Sequence, residues 1–316
     1  MGKLTIKRLI QAIPMLIVIS IVSFSLIKLA PGDPVQSFIT PAMSDNDILR
    51  IRQNLGLDRP VHIQYIQWLK NVITGNLGYS LINHRPVLNQ ILERIPATLG
   101  LMGSSLLLSI LVGIPLGLIS AANKNKWIDN ISTIFSYVGI SIPSFWFAMI
   151  LIYTFSLKLN LLPSIGMRTV GVYTTWDLIK HGIMPTIVLS LQNVAVITRY
   201  IRSSTISQLK EDYVMVEYAS GASKAEVLYK YVLKNSILPV ITIVGMSLPS
   251  LVSGAFITET VFGWPGMGQL GINSIFSFDY PVIMAITMFS SLLLIIGNLL
   301  SDILYGIADP RIKELR

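Results

Sequence analysis

The stretch EYASGASKAEVLYKYVLKNSILP (residues 217–239) is a charged segment inside an otherwise apolar chain. Gly221 permits a turn with positive φ and Pro239 ends the segment, so the pattern predicts helices over residues 204–220 and 223–236. Ser223 and Glu226 have the spacing of a capping box at the start of the second helix. The surroundings of this helix pair determine its role, and the flanking sequence indicates what they are.

The composition indicates a lipid environment. The chain has 316 residues, of which 52% are hydrophobic and 13% charged, whereas a soluble domain carries about 25% charged residues. A hydrocarbon core about 30 Å thick needs roughly 20 apolar residues per helical span. Six such runs occur, none with a charge near its middle: residues 9–29, 97–121, 130–157, 184–201, 237–258 and 281–304. We therefore predict a single all-α membrane domain with six transmembrane helices.

The basic residues predict the orientation of these spans. If the N-terminus is cytoplasmic, more than half of the 24 Lys and Arg residues lie on cytoplasmic connections, and residues 261–280 on the outer side carry none. This bias predicts a cell-membrane protein with both termini in the cytoplasm and a cytoplasmic loop over residues 202–236. The net charge of +8 then suits an anionic inner leaflet, and no nucleic-acid partner is needed to explain it.

The first outer connection, residues 31–96, is long enough to form an extracellular cap or scoop. VHIQYIQWLKNVI (residues 61–73) places Val61, Tyr65 and Trp68 near one helical face with Leu69 and Val72, which predicts an amphipathic helix that lies on the bilayer or on a neighbouring helix. RPVLNQILERIPATL (residues 85–99) predicts a further short helix before the second span. A solvated loop with incidental helices is the alternative.

Two features of the spans concern their packing. GIPLG (residues 113–117) has the small-xxx-small spacing that permits close helix approach. Prolines at positions 115, 143, 185 and 249 are expected to bend or interrupt spans.

The motifs argue against chemistry carried out by this chain. It has no G-x-x-x-x-G-K-[ST] loop, and GMGQLG (residues 266–271) fits a dinucleotide pattern without the surrounding βαβ unit, so we expect only a backbone turn there. No cysteine is present, and His62, His84 and His181 fall in separate outer connections, where we expect exposed side chains. We expect no catalytic residue, no metal site and no cofactor bound by this chain.

The apolar positions of the second predicted helix form a stripe, Val227, Leu228, Tyr231 and Val232, with Lys224, Lys230 and Lys234 largely off it. A helix pair of this kind suits a groove in a soluble partner. It equally suits a cover over the ends of the spans, and the residues alone do not decide between the two.

Residues 212–239 resemble the coupling motif of permease subunits of ATP-binding-cassette importers, in the dipeptide, oligopeptide and nickel branch. The matching positions are Asp212, Tyr213, Val214, Ala219, Gly221, Asn235, Leu238 and Pro239. Other landmarks of that branch follow in order along nearly the whole chain: LAPGDPV, LGLDRPVHIQYIQWL, GNLGYS, RIPATLGL, SIPSFWFAMIL, LLPSIG, ETVFGWPGMGQL, DYPVIM and DILYGIADPRI. The chain departs from the branch in having Glu217, Tyr218 and Ser220 where a small residue, Arg and Lys are usual.

The resemblance implies the type I importer permease fold and a non-catalytic subunit of a peptide importer, similar to the first of two dissimilar permeases. The partners it implies are a second permease, a substrate-binding protein outside, and two ATPase subunits that bind ATP and Mg. It also implies that the ATPase-coupling residues are Asp212, Tyr213, Glu217, Ala219, Ser220, Gly221, Ala222, Ser223 and Pro239.

Substrate identity stays open at this point. Within the resemblance, peptides come first, then nickel or a metal–metallophore complex, with glutathione-like or sugar substrates also compatible. Outside it, an ATPase-independent secondary carrier and a membrane scaffold are the alternatives of other classes. Polar residues in three spans are candidates to line a pathway, although hydrogen bonds between helices explain them equally well: Gln192, Asn193, Ser247, Ser253 and Asn298.

Overall fold

The computed structural model describes residues 2–29, 35, 39, 43–54, 56–247 and 255–308. These residues are mostly helical. The helices are α1 (Gly2–Leu29), α2 (Asp45–Asn54), α3 (Val61–Ile73), α4 (Val87–Ala122), α5 (Trp127–Ser141), α6 (Ser144–Lys158, π-helical from Ile152), α7 (Thr175–Gln208), α8 (Asp212–Ala219), α9 (Lys224–Ser236, π-helical over Val227–Val232), α10 (Leu238–Ser247), α11 (Phe256–Val261), α12 (Met267–Phe276) and α13 (Tyr280–Ala308).

Four helical stretches in the described residues are individually long and apolar enough to cross a membrane: Ile10–Leu29, Val87–Ala122, Thr175–Gln208 and Tyr280–Leu300. Two bent pairs also qualify, α5 with α6 at 103° and α9 with the first part of α10 at 41°. The structure thus has four to six candidate spans, and the count of six stays a prediction. The predicted fifth span, residues 237–258, includes residues 248–254, which lie outside the described part of the chain.

The centre of the fold is the pair formed by α4 and α7. The small-xxx-small spacing has the effect expected of it, because a Cβ atom at Gly113 would lie 2.8 Å from the Ile197 side chain. A Cβ atom at Gly117 would lie 2.7 Å from Ile201. Only hydrogen at these positions lets the two backbones approach so closely. Helix α5 packs against both α4 and α7.

The prolines have different outcomes. Pro143 lies at the break between α5 and α6, so residues 130–157 do not form the single helix that the sequence predicted. Helix α4 continues through Pro115 and α7 continues through Pro185. A membrane helix tolerates proline where its neighbours satisfy the freed backbone groups. Pro249 lies outside the described residues.

The segment before α4 differs in part from the prediction. Helix α3 forms as predicted and packs on α1, where the Tyr65 hydroxyl hydrogen-bonds the Ser20 hydroxyl at 2.8 Å and the Tyr65 ring meets Phe24 edge-on. Val61, predicted for the same face, is exposed instead. The separate short helix predicted over residues 85–99 was wrong, because α4 runs unbroken from Val87 through Pro96 into the apolar run.

Candidate coupling site

The loop that follows α7 begins with a sharp turn. Helix α7 ends at Gln208, and α8 starts at Asp212 after three residues. The Tyr213 hydroxyl donates to Gln208 Oε1 at 3.0 Å, which fixes the start of α8 against the end of α7. The helix predicted over residues 204–220 is therefore two helices. No local signal marks this break, since residues 209–211 contain neither glycine nor proline.

Helix α8 has one buried side and one exposed apolar side. Val214 is 3% exposed and belongs to a core cluster of the protein. Met215, Val216 and Tyr218 are 73%, 62% and 43% exposed. We call these three residues the α8 patch. Apolar side chains presented together on a short, anchored helix are typical of a surface that a partner covers.

The turn after α8 is the one predicted from Gly221. The glycine has φ +88°, its N–H donates to the Tyr218 carbonyl at 3.0 Å, and the Ala222 N–H donates to the Glu217 carbonyl at 3.1 Å. These two hydrogen bonds form a Schellman motif, in which glycine takes the left-handed position. A Cβ atom at Gly221 would meet nothing within 4 Å, so the requirement for glycine comes from backbone conformation and not from space.

Helix α9 starts as predicted. The Ser223 side chain accepts a hydrogen bond from the Glu226 N–H at 3.2 Å. The Glu226 carboxylate accepts from Lys230 Nζ at 3.1 Å, so the acidic member of the predicted capping box pairs along the helix.

The apolar stripe of α9 faces the protein's own interior. Val227 and Val232 are fully buried and Leu228 nearly so. They belong to one cluster with residues of α4, α7, α8 and α10: Leu118, Ile197, Ile201, Val214 and Val240. The stripe therefore acts as the cover suggested by one of the two interpretations of the sequence, whereas the side chains of the α8 patch are exposed.

The coupling residues expected from the resemblance are brought together with one exception. Eight of them lie on α8 or in the turn after it. The exposed ones are Asp212, Ala219, Ser220, Gly221 and Ser223, and the half-buried ones are Tyr213, Glu217 and Ala222. Pro239 is half-buried and lies in α10, just beyond the C-terminal end of α9. The site is thus one short helix and its C-terminal turn, with Pro239 in the support behind it.

An ion pair that the sequence did not reveal lies beside this loop. Asp129, at the start of α5, is 2% exposed and accepts from Arg202 of α7 at 2.5 Å (Nε) and 2.8 Å (Nη2). The same carboxylate accepts from the Ser120 hydroxyl of α4 at 2.6 Å and from the Asn125 N–H at 2.9 Å. Three helices therefore meet on one carboxylate, less than two turns before α7 ends.

The proposed pathway residues are spread out in the structure. Gln192 on α7 and Asn298 on α13 are exposed, and Asn193 is half-buried. The Ser247 hydroxyl donates to the Ile243 carbonyl of its own helix at 2.8 Å. Ser253 lies outside the described residues. Their role in a pathway stays a prediction.

The glycine-rich stretch after α11 surrounds a buried glutamate. Glu259 is fully buried and accepts from the Thr98 hydroxyl at 3.1 Å and from the Gln269 N–H at 3.0 Å. A Cβ atom at Gly266 would clash with this carboxylate, and one at Gly268 would lie 2.8 Å from the Phe256 backbone. The glycines thus bring the start of α12 against a carboxylate of the chain, which explains the dinucleotide-like spacing.

The histidines differ in part from the expectation. His62 and His84 are exposed. His181 lies inside α7 and is 5% exposed, with Nδ1 at 2.9 Å from the Asp177 carbonyl, so the expectation of an exposed side chain in a loop was wrong for this residue. The described residues contain no group of three or more His, Cys, Asp or Glu side chains arranged to hold a metal ion.

Several apolar helices of spanning length, joined by a helical loop that packs on their ends, indicate an integral membrane protein. The chain matches two family descriptions: "binding-protein-dependent transport system inner membrane component" over residues 113–314, and the N-terminal membrane component of such systems over residues 1–102. The chain therefore belongs to this family of transport permeases. Subunits of this kind are non-catalytic components of ABC importers.

Relatives cover the chain from end to end. It is 41% identical over 315 residues to the oligopeptide transport system permease protein AppB of Bacillus subtilis, covering 99% of this chain and all of that protein. It is 36% identical to the dipeptide transport system permease protein DppB of Alkalihalophilus pseudofirmus, covering 97% and 98% of the two chains. It is also 36% identical to the glutathione transport system permease protein GsiC of Escherichia coli, covering 98% of each.

A solved structure confirms the fold class. A chain from an inward-facing crystal form of the MetNI methionine ABC transporter superposes with a TM-score of 0.57 at 15% identity, covering 71% of this chain and 98% of that one. The all-α, type I importer permease fold expected from the resemblance is therefore confirmed.

Proposed function

We propose that this chain is one of two permeases that together form the pathway of an ATP-driven importer of oligopeptides or dipeptides. A substrate-binding protein delivers the peptide on the outer side, and two ATPase subunits bind and hydrolyse ATP with Mg on the cytoplasmic side. The names of the relatives support the substrate class, since oligopeptide and dipeptide permeases match over nearly the full length. Import of glutathione, of nickel or of a metal–metallophore complex is the alternative within this machine.

The observation that carries the proposal is the α8 patch. Met215 and Val216 are exposed on sides of the helix that point away from Val214, which packs into the core formed by α4, α7 and α9, and Tyr218, one turn after Val214, is 43% exposed. A partner that moves α8 must therefore move the ends of α4 and α7 with it. This geometry suits the transmission of ATPase closure to the spans. A partner can shift the equilibrium between two conformations only if it binds them with different affinities.

The test replaces the patch and measures ATPase binding. Met215→Asp with Val216→Asp should weaken co-purification of the ATPase subunits about tenfold or more, because burying one such side chain stabilises by about 1.5–3 kcal/mol. Ile275→Asp is the matched control, since Ile275 is also exposed but lies on α12. Unchanged ATPase binding by the double variant would refute the docking assignment.

Reconstitution separates the proposal from its rivals. Proteoliposomes that hold both permeases, both ATPases and the binding protein should accumulate labelled dipeptides or oligopeptides only with ATP, and this chain alone should not hydrolyse ATP. Uptake without ATPase subunits would indicate a secondary carrier. ATPase binding with no solute uptake would indicate a scaffold, and uptake of nickel or glutathione in place of peptides would reassign the substrate.

The orientation is part of the proposal. Both termini and the loop of residues 202–236 lie in the cytoplasm, and residues 31–96 lie outside. Small tags at residues 125 and 220 should be reachable only from the cytoplasm, and a tag at residue 270 only from outside. Labelling from the opposite side at any of the three would overturn this arrangement.

A further inference from the structure

Helix α5 is not part of the core that supports the coupling helices. The core cluster beneath α8 and α9 is built from residues of α4, α7, α8, α9 and α10. Among the described residues, neither this cluster nor the apolar side chains packed against it include a residue of α5. Helix α5 packs instead against α4 and α7. These two helices therefore connect α5 to the coupling helices.

The buried side of α5 has few features that hold it in place. Its four buried residues are Asp129, Ser132, Ser136 and Gly139. The Ser136 hydroxyl donates to the Ser132 carbonyl of the same helix at 2.9 Å, and the Ser132 hydroxyl has no hydrogen-bond partner among the described residues. Small side chains interlock weakly with a neighbouring helix, so such a surface permits sliding. Of the four buried residues, only Asp129 hydrogen-bonds another helix through its side chain.

The Asp129 carboxylate joins the start of α5 to both neighbouring helices. Its Oδ1 accepts from the Ser120 hydroxyl of α4 at 2.6 Å and from Arg202 Nε of α7 at 2.5 Å. Its Oδ2 accepts from Arg202 Nη2 at 2.8 Å, and from the Asn125 N–H in the turn between α4 and α5 at 2.9 Å. Two parallel bonds from a guanidinium fix the direction of a carboxylate as well as its distance. The start of α5 is therefore held at one position and angle relative to α4 and α7.

The partners of Asp129 lie next to the support of the coupling helices. Ile201 precedes Arg202 in α7 and is a fully buried member of the core cluster beneath α8 and α9. Leu118, two residues before Ser120 in α4, belongs to the same cluster. We propose that Asp129 is a positioning residue, which through Arg202 and Ser120 makes α5 follow the movement of the coupling helices during transport. This inference rests on the function proposed above, because it assigns a further residue to the same coupling.

Distances between spin labels test this link. The chain has no cysteine, so cysteines introduced at Ile134 of α5 and Tyr229 of α9, both exposed, can be labelled before assembly with unlabelled partners. In the full importer, the wild-type distance should be the same without nucleotide and with ATP hydrolysis trapped by vanadate. In Asp129→Asn the distance should differ between the two states, because an amide carries no charge to pair with Arg202. Ser132→Ala is the matched control on the same buried side of α5.

The amount of peptide transported per ATP gives a second readout. In proteoliposomes, Asp129→Asn should take up at least about fivefold less labelled peptide per ATP hydrolysed, the lower end of typical coupling between two sites. It should still co-purify with the ATPases, because the α8 patch is unchanged. The double variant Asp129→Ala/Arg202→Met has no uncompensated charge, so it should regain thermal stability without regaining coupling. A purely structural role of the pair would restore both.

Several results would overturn the assignment. A wild-type distance that changes between the two states would show that α5 does not follow α9. A constant distance in Asp129→Asn, or wild-type peptide uptake per ATP in the double variant, would show that the pair is not the link. An equal loss of coupling in Ser132→Ala would remove the specific role of Asp129. If the wild-type complex hydrolyses ATP without taking up peptide, the substrate proposed above is wrong, and the spin-label distances decide on the link independently.

Discussion

Replacing Asp129 by alanine should lower the free energy of unfolding, and the burial and hydrogen bonds of its carboxylate determine the size of the loss. The carboxylate is 2% exposed and receives four hydrogen bonds, two of them from Arg202. Removing one partner of a buried pair costs about 3–5 kcal/mol, because the other charge is left uncompensated. Since the Arg202 side chain is 29% exposed and recovers some hydration, we expect the lower end of this range, about 3 kcal/mol.

Thermal unfolding in detergent, followed by circular dichroism, measures this change. Asp129→Ala should lower the Tm by several degrees, given that about 1 kcal/mol corresponds to a few degrees in a protein of this size. Asp58→Ala is the control, because Asp58 is an exposed carboxylate. In the double variant Asp129→Ala/Arg202→Met the uncompensated charge is gone, and most of the lost stability should return.

The double variant also supplies the refutation. If it is no more stable than Asp129→Ala alone, the loss comes from the Ser120 and Asn125 contacts and not from the charge pair. If Asp129→Ala unfolds at the wild-type temperature, the carboxylate does not stabilise the packing of α4, α5 and α7, and the reasoning is refuted.

Three further predictions concern single positions. Gly221→Pro should leave membrane insertion intact but abolish coupled ATP hydrolysis in proteoliposomes, because proline cannot adopt φ +88°; Gly221→Asn should retain much of the activity, and full coupling in the proline variant would contradict the assignment. Gly117→Leu should cost at least about 1–3 kcal/mol in detergent unfolding through overpacking against α7, whereas Gly100→Leu should cost little, because a Cβ atom at Gly100 would meet nothing within 4 Å. Glu259→Ala should expose α12 to limited proteolysis by leaving the Gln269 N–H without its acceptor, at about 1–3 kcal/mol. Glu259→Gln should protect α12 better, and equal cleavage of both variants would argue against this role.

The sequence was sufficient for features that depend on local chemistry. The turn at Gly221 and the Ser223 cap depend on residues a few positions apart, and both are present as predicted. The close helix contact at Gly113 and Gly117 was also predicted from their spacing, although the sequence did not show which helix would be the partner. Composition alone indicated the membrane, because apolar runs of this length have few other uses.

Features that depend on contacts between distant parts of the chain could not be predicted from the sequence. Nothing near Asp129 in sequence indicates that Arg202, 73 positions away, lies against it. Glu259 follows an apolar run and looked like the end of a span, yet it is held by Thr98 from α4. The apolar stripe of α9 was readable, but whether it faces a partner or the protein itself was decided only by its contacts with Ile197 and Ile201.

Helix α7 runs without a break for 34 residues, from Thr175 to Gln208, a length of about 51 Å at 1.5 Å per residue. Each end makes hydrogen bonds that depend on which way its side chains point around the helix axis. Asp177 accepts from Thr169 at one end, and Gln208 accepts from Tyr213 at the other. Inserting or deleting one residue between them rotates one end by about 100° relative to the other. The length of α7 is therefore a fixed dimension of the protein. Substitutions along it are open to selection one at a time, whereas a change in its length requires both ends to be rebuilt together.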